Sequence, residues 1–160
     1  MLKIFHLTLI LIILTACTST KEITKETSPE PTSFQTTINR IVDGDTVTIT
    51  LNGVNEYVRI IGIDAPEKDE CFADESSDAL KRLIEGKNVI LESKPDEDRD
   101  KYNRLLRYIR SEGEDIGAQM IKEGFAKDYP WFPHPRNQTY KDLGRQAEEE
   151  ERGLWGRCDF

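Results

Sequence analysis

Thr46-Val47-Thr48-Ile49-Thr50-Leu51 alternates polar and apolar residues, and Asn52-Gly53 follows at once. No other stretch restricts the fold so tightly. A period of two is that of a strand with one buried face. Asn and Gly both tolerate the positive φ angles of a tight hairpin turn, so the chain must double back here. Residues 56–63 then supply the returning strand. Residues 36–42 supply a strand before the hairpin, ended by the turn Asp43-Gly44. Because a hairpin brings its end close to its start, the segment around Asp45 lies near the segment that follows Arg59.

Further along, Ala79, Leu80, Leu83 and Ile84 have helical spacing, and Gly86 stops that helix. Residues 88–92 read as a short strand, residues 96–103 as a charged loop and residues 105–109 as another strand. Ile116, Met120 and Ile121 mark a second helix, ended by Gly124. Tyr140, Leu143 and Ala147 mark a third, running into the acidic stretch 148–151. This order fits an α+β chain built on an OB-fold: a five-stranded barrel with three helices, one inserted after the third strand. A generic α+β sandwich would read similarly.

A chain of 160 residues suits one domain behind a leader. Residues 1–16 read as a lipoprotein signal peptide. Lys3 supplies the positive start, and residues 4–14 form an apolar run too short to span a bilayer comfortably. Leu14-Thr15-Ala16-Cys17 resembles a bacterial lipobox. Cleavage before Cys17 and lipidation of its thiol are therefore expected, leaving the protein extracytoplasmic and anchored to the cell membrane. The plain alternative is an ordinary signal peptide with an incidental cysteine. Residues 17–33 are rich in Ser, Thr, Lys, Glu and Pro, with Ile23 the one large apolar side chain. Such a stretch cannot offset the entropy cost of ordering and reads as a flexible tether. Residues 34–160 form the domain. Its cysteines, Cys71 and Cys158, point to a disulfide in an exported protein; two unrelated buried thiols are the alternative.

The formal charge of -8 argues against a general nucleic-acid coat protein. It leaves room for an enzyme on nucleic acid, since the local field of a cleft outweighs net charge, though affinity should be modest and fall with salt. Asp45 and Asp64 sit on turns that the hairpin brings together. Two carboxylates with a backbone carbonyl and waters suit Ca²⁺ or Mg²⁺, not zinc; a pair of solvated turn aspartates is the alternative. Arg59 has the opposite parity to Val58 and Ile60, so it faces away from the core, toward Asp64. Its planar fork suits two oxygens of one phosphate, or else a surface ion pair. Arg104 follows Asp100-Lys101-Tyr102-Asn103, where Lys101 and Tyr102 are candidate substrate contacts or members of a merely solvated loop.

Absences narrow the chemistry. The sequence has two histidines, His6 and His134, and His6 leaves with the leader. That excludes a two-histidine ribonuclease mechanism, a phospholipase D-type pair and a three-histidine zinc site. There is no G-x-x-x-x-G-K-[ST] phosphate loop. Asp96, Asp98 and Asp100 begin an EF-hand spacing, but Lys101 and Arg107 stand where its glycine and glutamate belong.

Four motifs in order resemble the signatures of the staphylococcal nuclease family. They are Val42-Asp43-Gly44-Asp45-Thr46, Val58-Arg59-Ile60-Ile61-Gly62-Ile63-Asp64-Ala65-Pro66-Glu67, Asp100-Lys101-Tyr102-Asn103-Arg104-Leu105-Leu106-Arg107-Tyr108 and Gly153-Leu154-Trp155. The resemblance covers about residues 37–158. It implies an OB-fold, with Asp45 and Asp64 as calcium ligands and the backbone carbonyl of Ala65 as a third. It implies Glu67 as general base for the attacking water and Arg59 and Arg104 as phosphate-binding arginines. DNA and RNA would both be substrates, and products would end in 3′-phosphates. Ala65 and Asn103 depart from the threonine and the glycine common at those places. Tyr129-Pro130-Trp131-Phe132-Pro133-His134-Pro135 departs from the family's tyrosine-bearing stretch, leaving Tyr129 and Trp131 as candidates for stacking on a base. No reader of base edges is evident, so little sequence specificity is expected, and a monomer. The rival is a non-catalytic OB-fold lipoprotein that binds nucleic acid; the filled catalytic positions favour the enzyme.

Overall fold

The computed structural model describes residues 32–159. The expected signal peptide, Cys17 and nearly all of the expected tether lie outside the described residues. Among the described residues, no helix is long and apolar enough to cross a membrane.

Strands β1 (Ser33–Ile41), β2 (Thr46–Leu51) and β3 (Val54–Ile60) form a meander, followed by the two-residue strand β4 (Ile63–Asp64). Then come α1 (Ala73–Ile84), β5 (Asn88–Glu92), β6 (Leu105–Ser111), β7 (Glu114–Asp115), α2 (Ile116–Lys122), β8 (Lys127–Asp128) and α3 (Asn137–Glu149). A 3-10 turn, Gly153–Gly156, ends the series. β2 and β3 pair antiparallel across Asn52-Gly53, from Leu51 opposite Val54 to Thr46 opposite Arg59. Both turn residues have positive φ, 52° and 80°, as the sequence requires.

β1 serves two neighbours. Its first half pairs with β5 and its second half with β2, and the register slips between Ile38 and Arg40. Such a bulge bends a strand, letting it turn the corner between two sheets. β5 pairs antiparallel with β6, and β6 pairs in parallel with β3 through Val58–Leu105, Arg59–Leu106 and Ile60–Arg107. That parallel pairing closes a five-stranded mixed barrel in the order β1-β2-β3-β6-β5. Inside, Val47, Ile49, Val58, Ile60, Leu91, Leu105 and Ile109 join Leu80 and Ile84 of α1 and Met120 and Ile121 of α2 in one apolar cluster. Each such side chain contributes about 1.5–3 kcal/mol by leaving water.

The structure differs from the sequence reading in several elements. The returning strand stops at Ile60 rather than Ile63, because Gly62, at φ 80°, turns the chain. A Cβ there would lie 2.4 Å from the His134 ring, so the position admits only glycine. β2 is not half-buried: Thr46 and Thr48 are as inaccessible as Val47 and Ile49. Thr46 is covered by the loop that carries Arg104. α1 begins at Ala73, well before its first apolar marker, behind Phe72 at φ 72° with no side-chain cap. β4, β7 and β8 are too short to leave any periodic trace.

Candidate active site

Asp43-Gly44-Asp45 turns the chain from β1 into β2. The Asp45 N–H donates to Asp43 Oδ1 at 3.0 Å, a local bond of the Asx-turn kind. The Asp45 carbonyl accepts the Ile60 N–H at 2.8 Å, fixing this turn to the end of β3. Gly44 presses against α1 and the segment after β4: a Cβ there would lie 1.9 Å from Ser76 Oγ and 2.6 Å from Ala65 Cβ. So placed, the Asp45 side chain is 6% exposed. Its Oδ2 accepts the Ala65 N–H at 3.0 Å, and its Oδ1 accepts the Thr46 hydroxyl at 3.0 Å. Burial pushes the Asp45 carboxyl up to about 7, against the pull of Arg59, and the carboxylate of Asp43 adds to the rise.

Arg59 obeys the parity expected of it. Val58 and Ile60 are buried in the barrel, and the guanidinium lies on the other face. Its Nη1 donates to the carbonyls of Ile63 and Ile60 at 2.9 and 3.1 Å. Its Nη2 sits 3.0 Å from Asp45 Oδ2 and 3.5 Å from Asp64 Oδ1. The two aspartates therefore meet at one guanidinium. The Gly62 turn makes this possible by folding Asp64 back beside the strand that carries Arg59. Asp45 is sealed in, whereas the Asp64 side chain is 50% exposed.

Arg104 joins the same group from the end of the loop that leads into β6. The parallel pairing of β3 with β6 sets Leu105 beside Val58, which brings Arg104 to the face of Thr46. Arg104 Nη1 donates to Thr46 Oγ1 at 3.4 Å, and its Nε donates to Asp100 Oδ2 at 2.7 Å. Burial tends to raise the Asp100 carboxyl, but the backbone and guanidinium of Arg104 and the Tyr102 N–H hold it below the usual carboxylate range. Asn103 takes φ 67°, a left-handed angle that asparagine accepts where glycine is the easier residue. One line of contacts thus runs Arg104, Thr46, Asp45, Arg59, Asp64.

Of the other expected residues, Ala65 and Tyr102 touch this line, and Glu67 and Trp131 make no hydrogen bond or ion pair with it among the described residues. Ala65 is buried and meets Asp45 through its N–H. Glu67 is exposed, on the segment that leaves Asp64, and its N–H donates to Glu70 Oε2 at 2.8 Å. Four residues beyond Glu67, Cys71 is joined to Cys158 by a disulfide with Cα atoms 5.9 Å apart. Tyr102 is 68% exposed, and its ring lies 4.9 Å from Lys101 Nζ and 5.5 Å from the Arg104 guanidinium. The Tyr129 N–H donates to the Gly62 carbonyl at 2.9 Å, and β8 pairs with β4, so the aromatic segment stands beside the strand of Asp64. Trp131 is 77% exposed.

Sequence reading missed Thr46, Asp100 and Phe132. Thr46 is the bridge between Asp45 and Arg104; its place in the Asp-Gly-Asp-Thr motif was the available sign. Asp100 orients Arg104; sequence reading placed it in a charged loop, a failed EF-hand spacing and the third motif, but with no role of its own. Phe132 is 60% exposed beside Trp131, with its ring 5.9 Å from that of Tyr129.

Among the described residues, no group of three or more His, Cys, Asp or Glu side chains can by itself hold a metal. Asp45 and Asp64 give two hard carboxylates that share one guanidinium as counter-charge. The rise of the buried Asp45 shows how incomplete that compensation is. This donor set fits a divalent cation that takes its remaining ligands from backbone carbonyls and water, and does not fit zinc.

A family model described as staphylococcal nuclease homologue matches residues 57–157. An SPbeta prophage-derived endonuclease of Bacillus subtilis is 34% identical over 132 residues, spanning 78% of this chain and 45% of its own. A second B. subtilis endonuclease is 32% identical over 135 residues, spanning 78% of this chain and 63% of its own. A thermonuclease of Staphylococcus intermedius is 33% identical over 119 residues, spanning 71% and 68%. The chain thus spans less than two thirds of the length of the two Bacillus relatives.

Proposed function

The chain belongs to the staphylococcal nuclease family, and from that premise we propose that it is a calcium-dependent nuclease that hydrolyses phosphodiester bonds in DNA and RNA. The observation that carries this reading is the line Arg104–Thr46–Asp45–Arg59–Asp64, which gathers two guanidinium groups and two carboxylates at one end of the barrel. Asp45 and Asp64, with the Ala65 carbonyl, would hold calcium, which when bound supplies positive charge against that building up on the phosphate.

The chain's own residues do the rest. Arg59 and Arg104 bind equatorial phosphate oxygens and hold them more strongly as charge grows there. Asp100 keeps the Arg104 fork aimed, through its 2.7 Å bond to Nε. Glu67, open to solvent, takes a proton from the attacking water. Tyr102, Trp131 and Tyr129 offer aromatic faces to the flanking bases, a grip that tolerates any sequence. Cleavage leaves 3′-phosphate ends. We further propose that Cys17 is lipidated, that residues 17–33 tether a monomeric domain outside the cytoplasm, and that the leader 1–16 is removed.

Incubating the purified chain with plasmid DNA, in calcium and then in excess chelator, tests the function. Cleavage in calcium that stops with chelator and returns with added calcium is expected. Retarded but intact DNA would instead support the rival reading of a non-catalytic binding module.

A further inference from the structure

We infer that the Cys71–Cys158 disulfide positions Glu67, so that full turnover requires the intact bridge while the barrel and its hold on substrate do not. The inference rests on the reading of Glu67 as the carboxylate that serves the attacking water.

Residues 67–72 link the site to α1 without belonging to a strand or helix. The segment closes on itself: the Glu67 N–H donates to Glu70 Oε2 at 2.8 Å, and the Glu70 N–H donates to the Glu67 carbonyl at 2.9 Å. Its backbone is nevertheless costly. Asp69 and Phe72 take φ 73° and 72°. Aspartate accepts the left-handed region, but a bulky phenylalanine does so only when its surroundings impose it. Two restraints do the imposing. The Phe72 ring stacks on Phe125 with centroids 5.8 Å apart, and Cys71 is bonded to Cys158.

Both restraints come from one rigid block. The Cys158 N–H donates to the Leu154 carbonyl at 3.0 Å, Leu154 is buried, and its N–H donates to the Gly124 carbonyl at 2.9 Å. Gly124 is next to Phe125. There is no slack between the 3-10 turn and this stretch: a Cβ on Gly153 would lie 2.2 Å from the Gly124 carbonyl oxygen. The bridge therefore passes the firmness of the core to a segment with little of its own. The line from Arg104 to Asp64 is held by other bonds, none of which involves Cys71 or Cys158. Cutting the bridge should release Glu67 and leave the arginines and aspartates in place.

Cys71 is exposed, so a dithiol can reach the bridge. Its thiolate attacks one bridge sulfur, its second thiol then closes the dithiol's own ring disulfide, and Cys71 and Cys158 are left as two thiols. A bridge that only stabilised the fold would lower the melting temperature and leave kcat unchanged in the cold. A bridge that positions Glu67 lowers kcat in protein that is still folded.

The test uses the full chain in three forms: oxidised, reduced with dithiothreitol, and with Cys71→Ser and Cys158→Ser together. Steady-state cleavage of DNA in calcium, well below the melting temperature, gives kcat and KM, and amide hydrogen exchange reports the backbone. Loss of the bridge should lower kcat about ten- to a hundredfold, the scale of a small misplacement of a reacting group. KM should hold, exchange should quicken at the Glu67 and Glu70 amides, β2 and β3 should stay protected, and reoxidation should restore kcat. An unchanged kcat overturns the inference, as does a loss of protection throughout the barrel. An oxidised chain inert on DNA contradicts the nuclease reading instead, and exchange at Glu67 and Glu70 then decides the positioning claim by itself.

Discussion

Asp45 and Glu67, the carboxylates proposed as metal ligand and general base, have opposite surroundings. The first is sealed among the Ala65 N–H, the Thr46 hydroxyl and Arg59, and the second is open to solvent. Glu67→Gln keeps the shape and removes the ability to take a proton. It should lower turnover about 10²–10⁴-fold, with the calcium concentration for half-maximal rate little moved. Initial rates over a calcium series check this, and recovery of the rate at high calcium would contradict it. Thr46→Val should behave differently. It takes a donor from a buried carboxylate and should cost about 1–3 kcal/mol of stability by denaturant unfolding; an unchanged midpoint would deny Thr46 its bridging role. Asp45, Arg59 and Asp64 were legible in the sequence because each lies on a turn or strand whose direction the hairpin dictates. Thr46 was not, because the partner that gives its hydroxyl meaning, Arg104, lies 58 positions away. Asp100 was missed for a related reason: its bond to Arg104 depends on how a charged loop closes, and no periodicity reports that.

At the level of elements, the hairpin was readable because Asn52-Gly53 states its own backbone geometry. The end of β3 was not, since residues 56–63 are apolar enough to continue a strand, and the turn at Gly62 is demanded by the His134 ring packed against it. That ring makes the junction of β4, β6 and α3 sensitive to pH. His134 Nδ1 faces the Tyr108 hydroxyl at 2.9 Å and accepts the Arg136 N–H at 3.3 Å, contacts that favour the neutral ring with its proton on Nε2. Burial first, then Lys94 and Arg136, lower its pKa, while Asp115 pulls the other way; Tyr140 packs edge-on against the ring. A histidine depressed in the folded state contributes stability that is complete above its unfolded pKa, about 6.5. That stability is lost as pH falls from there through the folded value. The melting temperature of the parent should therefore fall more steeply between pH 7 and pH 5 than that of His134→Gln. Parallel curves would remove His134 from the account. The start of α1 escaped sequence reading because Phe72 caps it through packing on Phe125, with no serine, threonine, aspartate or asparagine to announce it.

The whole molecule carries a formal charge of -8, yet Arg59, Arg104 and Lys101 converge near one end of its barrel. Substrate affinity should follow that local field. With these three cations on phosphates of a single strand, the logarithm of affinity should fall with the logarithm of salt with a slope of about -2; a flat salt response would mean that these cations do not meet the substrate. The five long strands, the three helices and the barrel they build could be read from sequence, but the short strands β4, β7 and β8 and the pairing that closes the barrel could not. Closure depends on β3 meeting β6 in parallel, a pairing between segments far apart in the chain that also delivers Arg104 to Thr46. Fold and site thus depend on the same contact. The central claim is that this one cluster performs phosphodiester hydrolysis, and its most direct test is calcium-dependent DNA cleavage by the parent and by Asp45→Ala, Asp64→Ala, Arg59→Lys and Arg104→Lys, with thermal melts as the control for folding. The arginine variants should lose about 10²–10³-fold in rate, as an ammonium cannot replace the fork, and the aspartate variants should need more calcium for whatever rate remains. Folded variants that all cleave at the parent rate, with the parent's calcium response, would contradict the claim and place the chemistry elsewhere on the chain.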